Sequence, residues 1–365
     1  MKKLLMSLVC LFALVALVAC GQTDNDNTGN GENNGGETTP TGTTYKLGMG
    51  ISVDSDLTKV QYSATVATVV VDKDGKIVAC RLDVAQNTVG IEDGTVTAPT
   101  DLRSKMEKGA DYGMAGNPWS SDNNGDEIIL EWDVQAKLFE AYVVGLTGAE
   151  VAALETQNVH DHNISKDEEL LTAGCTIDIT AFQEAIAKAC ADEFAVEFTT
   201  DKTFTLGLAV ESFVEAVSDY EDEENLATGK VYADFAASVV VEGKIAASLN
   251  DAIQPAFYND LEETTFEYKG TKRELKEEYG MSGAIHYAPN LDADGDGEIL
   301  EWYKQSALFS QYVVGLSGAE VAALTTEKNP INYDWSTDAD LIAAGCTIQI
   351  TAIRDVVAES VTNAR

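Results

Sequence analysis

Positive charge is scarce in this chain of 365 residues, which has 24 Lys and Arg against 61 Asp and Glu and a formal net charge of -37. No run of basic residues is longer than two, as at Lys2-Lys3 and Lys272-Arg273. Phosphate backbones and anionic headgroups repel such a surface, so the composition excludes nucleic acid as a partner. The chain is longer than the usual length of a domain with a single hydrophobic core, so we predict two domains.

Catalytic motifs are also few. The sequence contains no Gly-x-Ser-x-Gly elbow, no P-loop and no His-Glu-x-x-His pair, so hydrolase chemistry has little support. Gly48-x-Gly50 lacks the third glycine of a dinucleotide-binding loop. The triplet His160-Asp161-His162 could bind a transition metal, but a polar loop is the favoured interpretation.

Cysteines are too few and too dispersed beyond the first 20 residues for a disulfide framework. Four cysteines remain, at Cys80, Cys175, Cys190 and Cys346. Cys175 and Cys346 occupy the same place in the two copies among apolar or small neighbours, and there we favour buried structural thiols over a redox pair.

The first residues have the pattern of a secretory signal peptide. Lys2 and Lys3 precede an apolar stretch, 4–19, that is too short for a transmembrane anchor. The stretch ends in small residues before Cys20 and resembles the lipobox of bacterial lipoproteins, in which that cysteine is acylated. The resemblance implies a signal peptide at 1–19, a membrane lipid anchor through Cys20 and an extracytoplasmic location on the outer face of the membrane.

The residues after Cys20 have no means of forming a core. Residues 21–44 include no aliphatic or aromatic side chain, so the segment cannot offset its ordering entropy by burial. We predict that 20–44 is a lipidated, disordered tether.

The rest of the chain is an internal duplication. The 25 residues that begin at Leu130 (LEWDVQAKLFEAYVVGLTGAEVAAL) recur from Leu300 (LEWYKQSALFSQYVVGLSGAEVAAL), and shorter matches on both sides keep the same order. The sequence therefore predicts two homologous tandem domains, at 45–197 and 198–365.

Each copy places strands before helices. In the first copy, β-branched runs at 66–71 and 76–84 flank Asp72-Lys73-Asp74-Gly75, which predicts a hairpin. Apolar residues then recur at helical spacing, and Thr180 is a candidate cap for a last helix at 181–191. The predicted class is α+β with an antiparallel sheet.

Acidic loops before the repeated tryptophan have the spacing of EF-hand or dockerin calcium loops. In the second copy Asp292, Asp294 and Asp296 occupy positions 1, 3 and 5, and Gly297 occupies position 6, but position 12 is Tyr303.

The first copy has the complementary defect. Asp122, Asn124 and Asp126 supply positions 1, 3 and 5, Asp133 supplies position 12, and Glu127 replaces the glycine. Each loop either binds Ca²⁺ weakly or is a solvated acidic turn that opens a helix.

The segment Ala173-Gly174-Cys175-Thr176, followed by a helical pattern, resembles the end of the extracytoplasmic FMN-binding domain family. In that family a Ser-Gly-Ala-Thr segment precedes the final helix, and a dedicated FMN transferase attaches the flavin to the threonine through phosphate. The resemblance implies attachment at Thr176 and, in the second copy, at Thr347. The chain departs from the family at Ala173 and Cys175, and at the matching Ala344 and Cys346.

The repeated aromatic residues allow two interpretations. They could stack on an isoalloxazine ring or belong to the core, and the core is favoured because each ring has a large area to bury. The residues are Tyr112, Trp132 and Tyr142, with Tyr279, Trp302 and Tyr312.

Together these patterns predict a lipid-anchored electron carrier rather than a turnover enzyme, with FMN that takes electrons from a membrane redox donor. The alternative is a non-enzymatic, calcium-stabilised surface or ligand-binding module without flavin.

Overall fold

The computed structural model describes residues 42–115, 129–282, 299–328 and 334–365, which belong to one compact unit, Pro40–Arg365. The predicted signal peptide, Cys20 and nearly all of the predicted tether lie outside the described residues. The first strand begins at Thr43, so the last two residues of the predicted tether, 43 and 44, belong to it. In the described part of the chain, no helix has both the length and the apolar character needed to cross a membrane.

The first repeat begins with strands and continues mainly with helices. Its strands are β1 (Thr43–Asp56), β2 (Gln61–Val71), β3 (Ile77–Thr88), β4 (Gly90–Glu92), β5 (Thr95–Thr97), β6 (Thr156–Val159), β7 (His162–Ser165) and β8 (Val196–Thr200). Its helices are α1 (Lys105–Lys108), which continues into a 3₁₀ turn at Gly109–Tyr112, α2 (Trp132–Tyr142), α3 (Gly148–Ala152), α4 (Glu168–Thr172) and α5 (Thr180–Cys190).

The second repeat follows the same order. Its strands are β9 (Thr205–Ser218), β10 (Ala227–Val241), β11 (Lys244–Ile253), β12 (Ala256–Asn259), β13 (Thr264–Glu267), β14 (Thr326–Lys328) and β15 (Asp334–Ser336). Its helices are α6 (Lys272–Leu275), with a 3₁₀ turn at Lys276–Tyr279, α7 (Trp302–Tyr312), α8 (Gly318–Ala322), α9 (Ala339–Ala343) and α10 (Thr351–Thr362).

The strand pairing confirms the α+β class with antiparallel sheets. The first sheet has the order β3-β2-β1-β8. In the second sheet β10 pairs with β9 on one side and with β11 and β12 on the other. Strand β8 reaches Thr200 and pairs with β1, so the first sheet extends slightly past the predicted boundary at residue 197.

The two repeats share a hydrophobic core between their sheets. Alternate residues of β1, such as Leu47 and Ile51, meet Phe235 and Leu249 of the second sheet there. The opposite face of each sheet packs against helices of its own repeat. The layers therefore follow the order helices, sheet, sheet, helices, with every apolar strand face covered.

Small residues on β1 and β9 bring the last helix of each repeat close to its sheet. A Cβ atom on Gly48 would lie 2.1 Å from the Ala189 carbonyl oxygen, and one on Gly207 would lie 1.7 Å from the Ser360 carbonyl oxygen. Since no side chain fits at these distances, Gly48 serves helix packing and not a phosphate loop.

Most local predictions are confirmed. Strands β2 and β3 form the predicted hairpin. The predicted cap was wrong, because Thr180 is the first residue of α5 and Ile179 occupies the cap position. The Asp178 carboxylate accepts the Thr180 N–H at 2.8 Å, which satisfies that end of the helix instead.

Candidate functional site

Gly174 and Cys175 end helix α4 in a Schellman motif. Gly174 has φ 99°, its N–H donates to the Leu171 carbonyl at 2.9 Å, and the Cys175 N–H donates to the Leu170 carbonyl at 3.1 Å. The same bonds occur at Gly345 and Cys346. Helix termination thus accounts for the repeated Gly-Cys pair without any ligand. Thr176 and Thr347 are the residues that directly follow this pair in the two repeats.

A buried glutamine holds each of these threonines. The Thr176 N–H donates to Gln135 Oε1 at 2.7 Å, and the Thr347 N–H donates to Gln305 Oε1 at 2.6 Å. Each glutamine in turn donates from Nε2 to a backbone carbonyl five residues before it, that of Leu130 at 2.7 Å or Leu300 at 2.6 Å. The glutamine therefore locks the threonine against the start of α2 or α7.

The two threonines differ in exposure. Thr347 is only 3% exposed and its Oγ1 lies 3.3 Å from Gln305 Oε1. Thr176 is partly exposed, with a corresponding distance of 3.4 Å. The two predicted attachment residues therefore share the contact with a glutamine but differ in their exposure to solvent.

A lysine lies over two aromatic rings beside each threonine. Lys272 Nζ is 5.2 Å from the centroid of Tyr279 and 5.1 Å from that of Trp302. Lys105 Nζ has the same relationship to Tyr112, at 5.0 Å, and to Trp132, at 5.5 Å. At these distances the ring faces attract the ammonium group, so each ring pair is already in contact with a cation.

The preference for a core role is confirmed for the repeated aromatic residues. Both tryptophans are buried, and the tyrosines pack partly buried against the helix-side cores. In the second repeat, however, Tyr279 and Trp302 also face a cavity.

That cavity, of about 310 Å³, opens beside Thr347. It is large enough for part of a small organic ligand. Its lining combines aromatic rings with polar and charged groups and includes Phe213, Tyr232, Asp234, Lys272, Tyr279, Trp302, Gln305 and Thr347. We define this space as the Thr347 cavity.

Sequence reasoning did not find Phe213, Tyr232 or Asp234, which reach the cavity from β9 and β10. Asp234 was nevertheless visible as an acid within an apolar strand, Val231 to Val241, and a buried acid in such a position is uncommon. Burial raises the pKa of Asp234 to about 6, while the nearby Lys272 ammonium acts in the opposite direction.

The predicted calcium ligands fall largely on residues that the structure does not describe. Asp122, Asn124 and Asp126 lie outside the described residues, as do Asp292, Asp294 and Asp296. Asp133 is described, and its carboxylate is paired with Lys137 Nζ at 2.6 Å. The described segments contain no group of three or more metal-ligating side chains that could hold an ion.

The histidine triplet forms a hairpin turn. His160 and Asp161, with φ 49° and 65°, connect β6 to β7, and all three side chains are exposed. This confirms the polar loop, since positive φ at both central residues is typical of a type I′ turn.

The four cysteines among the described residues are free thiols, and Cys175 and Cys346 are buried as predicted. Cys80, Cys175 and Cys346 are buried and Cys190 is partly buried. Burial raises the pKa of Cys175 and of Cys346 to about 12, so neither sulfur is poised as a thiolate.

Compared with models of known protein families, with curated proteins and with solved structures, the chain matches none. The functional argument therefore rests on the threonine environments and the Thr347 cavity.

Proposed function

We propose that this protein is an extracytoplasmic, lipid-anchored electron carrier that holds FMN at Thr347, with Thr176 as the corresponding residue of the first repeat. The observation that supports the proposal is the position of Thr347 on the wall of a cavity lined by aromatic rings. The sequence resemblance names this threonine as the attachment residue, and the cavity offers room for a planar ring beside it.

The residues of the cavity fit a flavin in three respects. Phe213, Tyr232 and Trp302 offer aromatic surface against which a planar ring can pack. Lys272 places a positive charge on a lining that also holds the acids Glu215 and Asp234, and this charge reduces the repulsion that a phosphate group meets there. The volume of about 310 Å³ accommodates part of the ligand and leaves the remainder at the open side.

Attachment requires a local adjustment at Thr347. The hydroxyl is almost fully buried and faces Gln305 Oε1, so it must turn away from the glutamine to react with a transferase. The Thr347 N–H bond to Gln305 holds the backbone in place while the side chain turns. When bound, FMN supplies the one- and two-electron chemistry, and the chain positions the ring and limits its contact with water.

The partners follow from the same proposal. An FMN transferase makes the attachment, a membrane redox donor supplies electrons, and the lipid at Cys20 keeps the protein close to that donor. The calcium-stabilised alternative gains no support from Asp133, which is already paired with Lys137.

Intact mass measurement tests the proposal. The chain is exported in a host that has an FMN transferase, alongside the variants Thr347→Ala, Thr176→Ala and Thr351→Ala. We expect a mass increase of one FMN unit per attachment residue, lost at the substituted position and kept in Thr351→Ala, the matched control at the start of α10. An unmodified, colourless chain would contradict covalent flavin binding, and calcium titration would then test the alternative.

A further inference from the structure

Asp234 is a buried carboxylate that accepts no hydrogen bond from the residues that the structure describes. It is 7% exposed and lines the Thr347 cavity, yet no donor among the described residues bonds to its carboxylate. Lys272 attracts it electrostatically but keeps its ammonium over the rings of Tyr279 and Trp302. Within the described segments, the Asp234 carboxylate therefore has a positive charge nearby but no N–H or O–H group that donates a hydrogen bond to it.

Two other buried acids show what the fold normally provides. Asp83 accepts the N–H groups of Val84 at 2.7 Å and Met106 at 2.9 Å. Asp251 accepts the N–H of Ala252 at 2.8 Å and that of Arg273 at 3.1 Å. Because buried polar groups are almost always paired, the lack of a donor among the described residues indicates that Asp234 is completed from the cavity that it faces.

The fold itself does not require an acid at this position. Val71 pairs with Ile77 in the hairpin of the first repeat, and Val240 pairs with Ile245 in the hairpin of the second, so Val71 and Val240 are corresponding positions. Thr65 lies six residues before Val71, and Asp234 lies six residues before Val240. Thr65 is therefore the counterpart of Asp234 and is likewise buried. The same sheet position accepts a neutral side chain, so the acid of the second repeat serves the cavity.

We propose that Asp234 determines the ligand specificity of the Thr347 cavity by accepting a hydrogen bond from a ring N–H at the edge of a planar heteroaromatic ligand. The inference rests on the proposed function, in which this donor is the N3–H of the isoalloxazine ring. The aromatic walls favour a planar ring. A neutral N–H donor fits better than a cation, because Lys272 already supplies the compensating charge.

Free riboflavin and N3-methylriboflavin test this proposal on the full chain without any covalent attachment. Affinity is measured from the quenching of flavin fluorescence. We expect the wild-type chain to bind the N3-methyl compound about 10- to 100-fold more weakly than riboflavin, the effect of losing one hydrogen bond to a charged acceptor. The methyl group leaves the area of the ring system available for stacking essentially unchanged.

Variants assign the discrimination to the carboxylate. Asp234→Thr introduces the residue of the first repeat and should bind both compounds about equally, and Asp234→Asn keeps a weaker, neutral acceptor and should discriminate at an intermediate level. Thr65→Ala is the matched control and should discriminate like the wild-type chain. Circular dichroism verifies that each variant is folded.

Failure of this inference is distinguishable from failure of the proposed function. Equal binding of the two compounds by the wild-type chain, or no riboflavin binding at all, would overturn the role of Asp234 even where mass measurement finds FMN on Thr347. Discrimination that disappears in Asp234→Thr would support the role of Asp234 even where Thr347 is never modified.

Discussion

Arg273 Nη2 lies 2.8 Å from both carboxylate oxygens of Asp192, in an ion pair that joins the second repeat to the end of the first. Both side chains are 6% exposed. Asp192 also accepts the N–H groups of Met49 at 3.0 Å and Phe194 at 2.9 Å, and the guanidinium lies over the Phe194 ring at 4.9 Å. The charges are thus buried, paired and hydrogen-bonded, the conditions under which a buried pair is tolerated.

Removal of one partner should destabilise the whole unit. In Asp192→Ala the Arg273 guanidinium stays buried without its counter-charge, and we expect the free energy of unfolding to fall by about 3–5 kcal/mol. Urea unfolding measures the change. The matched control is Lys276→Ala, which breaks the more exposed ion pair with Glu193 and should cost less than about 1 kcal/mol. Similar losses in the two variants would contradict the prediction.

The matching positions of the duplication suggest an uncharged replacement for the Asp192–Arg273 ion pair. At the corresponding positions of the other repeat stand Asn363 and Met106, which both line the space where α1 meets the end of α10. The double variant Asp192→Asn with Arg273→Met should therefore recover most of the stability that Asp192→Ala loses, because no charge remains buried. A double variant as unstable as the single one would show that the charges themselves are required.

The glutamine contact of each threonine should matter more in the second repeat. Gln305→Leu leaves the Thr347 N–H and the Leu300 carbonyl without partners, and buried groups of this kind cost about 1–3 kcal/mol each. Gln135→Leu does the same to Thr176 and Leu130, but Thr176 is partly exposed and water can replace the bond. Urea unfolding should show the larger loss for Gln305→Leu. Equal losses would contradict this difference.

Gly207 should not tolerate even one added carbon atom. A Cβ atom there would lie 1.7 Å from the Ser360 carbonyl oxygen, so α10 must move away from β9. We expect Gly207→Ala to destabilise the protein by about 1–3 kcal/mol or more. Gly243→Asn is the control, since nothing lies within 4 Å of a Cβ atom there and asparagine tolerates its φ of 79°. Thermal unfolding compares them, and an unchanged melting temperature for Gly207→Ala would contradict the packing argument.

The sequence predicts the local elements well because their signals are local. The β2–β3 hairpin follows from β-branched runs around Asp72-Lys73-Asp74-Gly75, and the helices follow from apolar spacing. The same reasoning missed the role of Gly48, because a close approach to Ala189 depends on residues far apart in the chain. It also misplaced the cap, since Thr180 is itself inside the helix and its N–H donates to the Asp178 carboxylate.

The candidate site was predictable only in part for a similar reason. Thr347 was predicted because the short segment that contains it resembles the end of the FMN-binding domain family. Trp302 was predicted because it is repeated in both copies. Asp234 and Phe213 were not found, because the argument compared what the repeats share, and Asp234 is a position where they differ. Only the strand register shows that Asp234 stands where the first repeat has Thr65.

The pH dependence of stability should report the burial of Asp234. Burial raises the pKa of this carboxyl from 3.8 to about 6, so only well below pH 3.8 is it protonated in both states without a pH-dependent difference. As the pH rises from about 4 to 6, the unfolded chain releases the proton first, and folding becomes less favourable by roughly 3 kcal/mol in all. Asp234→Asn removes this penalty. The free energy of unfolding of the variant, relative to that of the wild-type chain, should therefore be higher at pH 8 than at pH 4.

Urea unfolding of the wild-type chain and the variant at the two pH values measures this difference, and any cost of burying the amide cancels because it does not depend on pH. Glu211, Asp251 and Lys272 face Asp234 in both proteins. Burial, helped by the Asp234 charge, raises the pKa of Glu211 to about 7, so the variant also lowers that pKa and the two effects on stability at pH 8 have the same sign. Thr65→Ala, at the matching position of the first repeat, should show the same stability change at both pH values. An Asp234→Asn difference that is equal at pH 4 and pH 8 would mean that the carboxylate is ionised without penalty in the folded protein, and the argument that it needs a ligand donor would lose its physical basis.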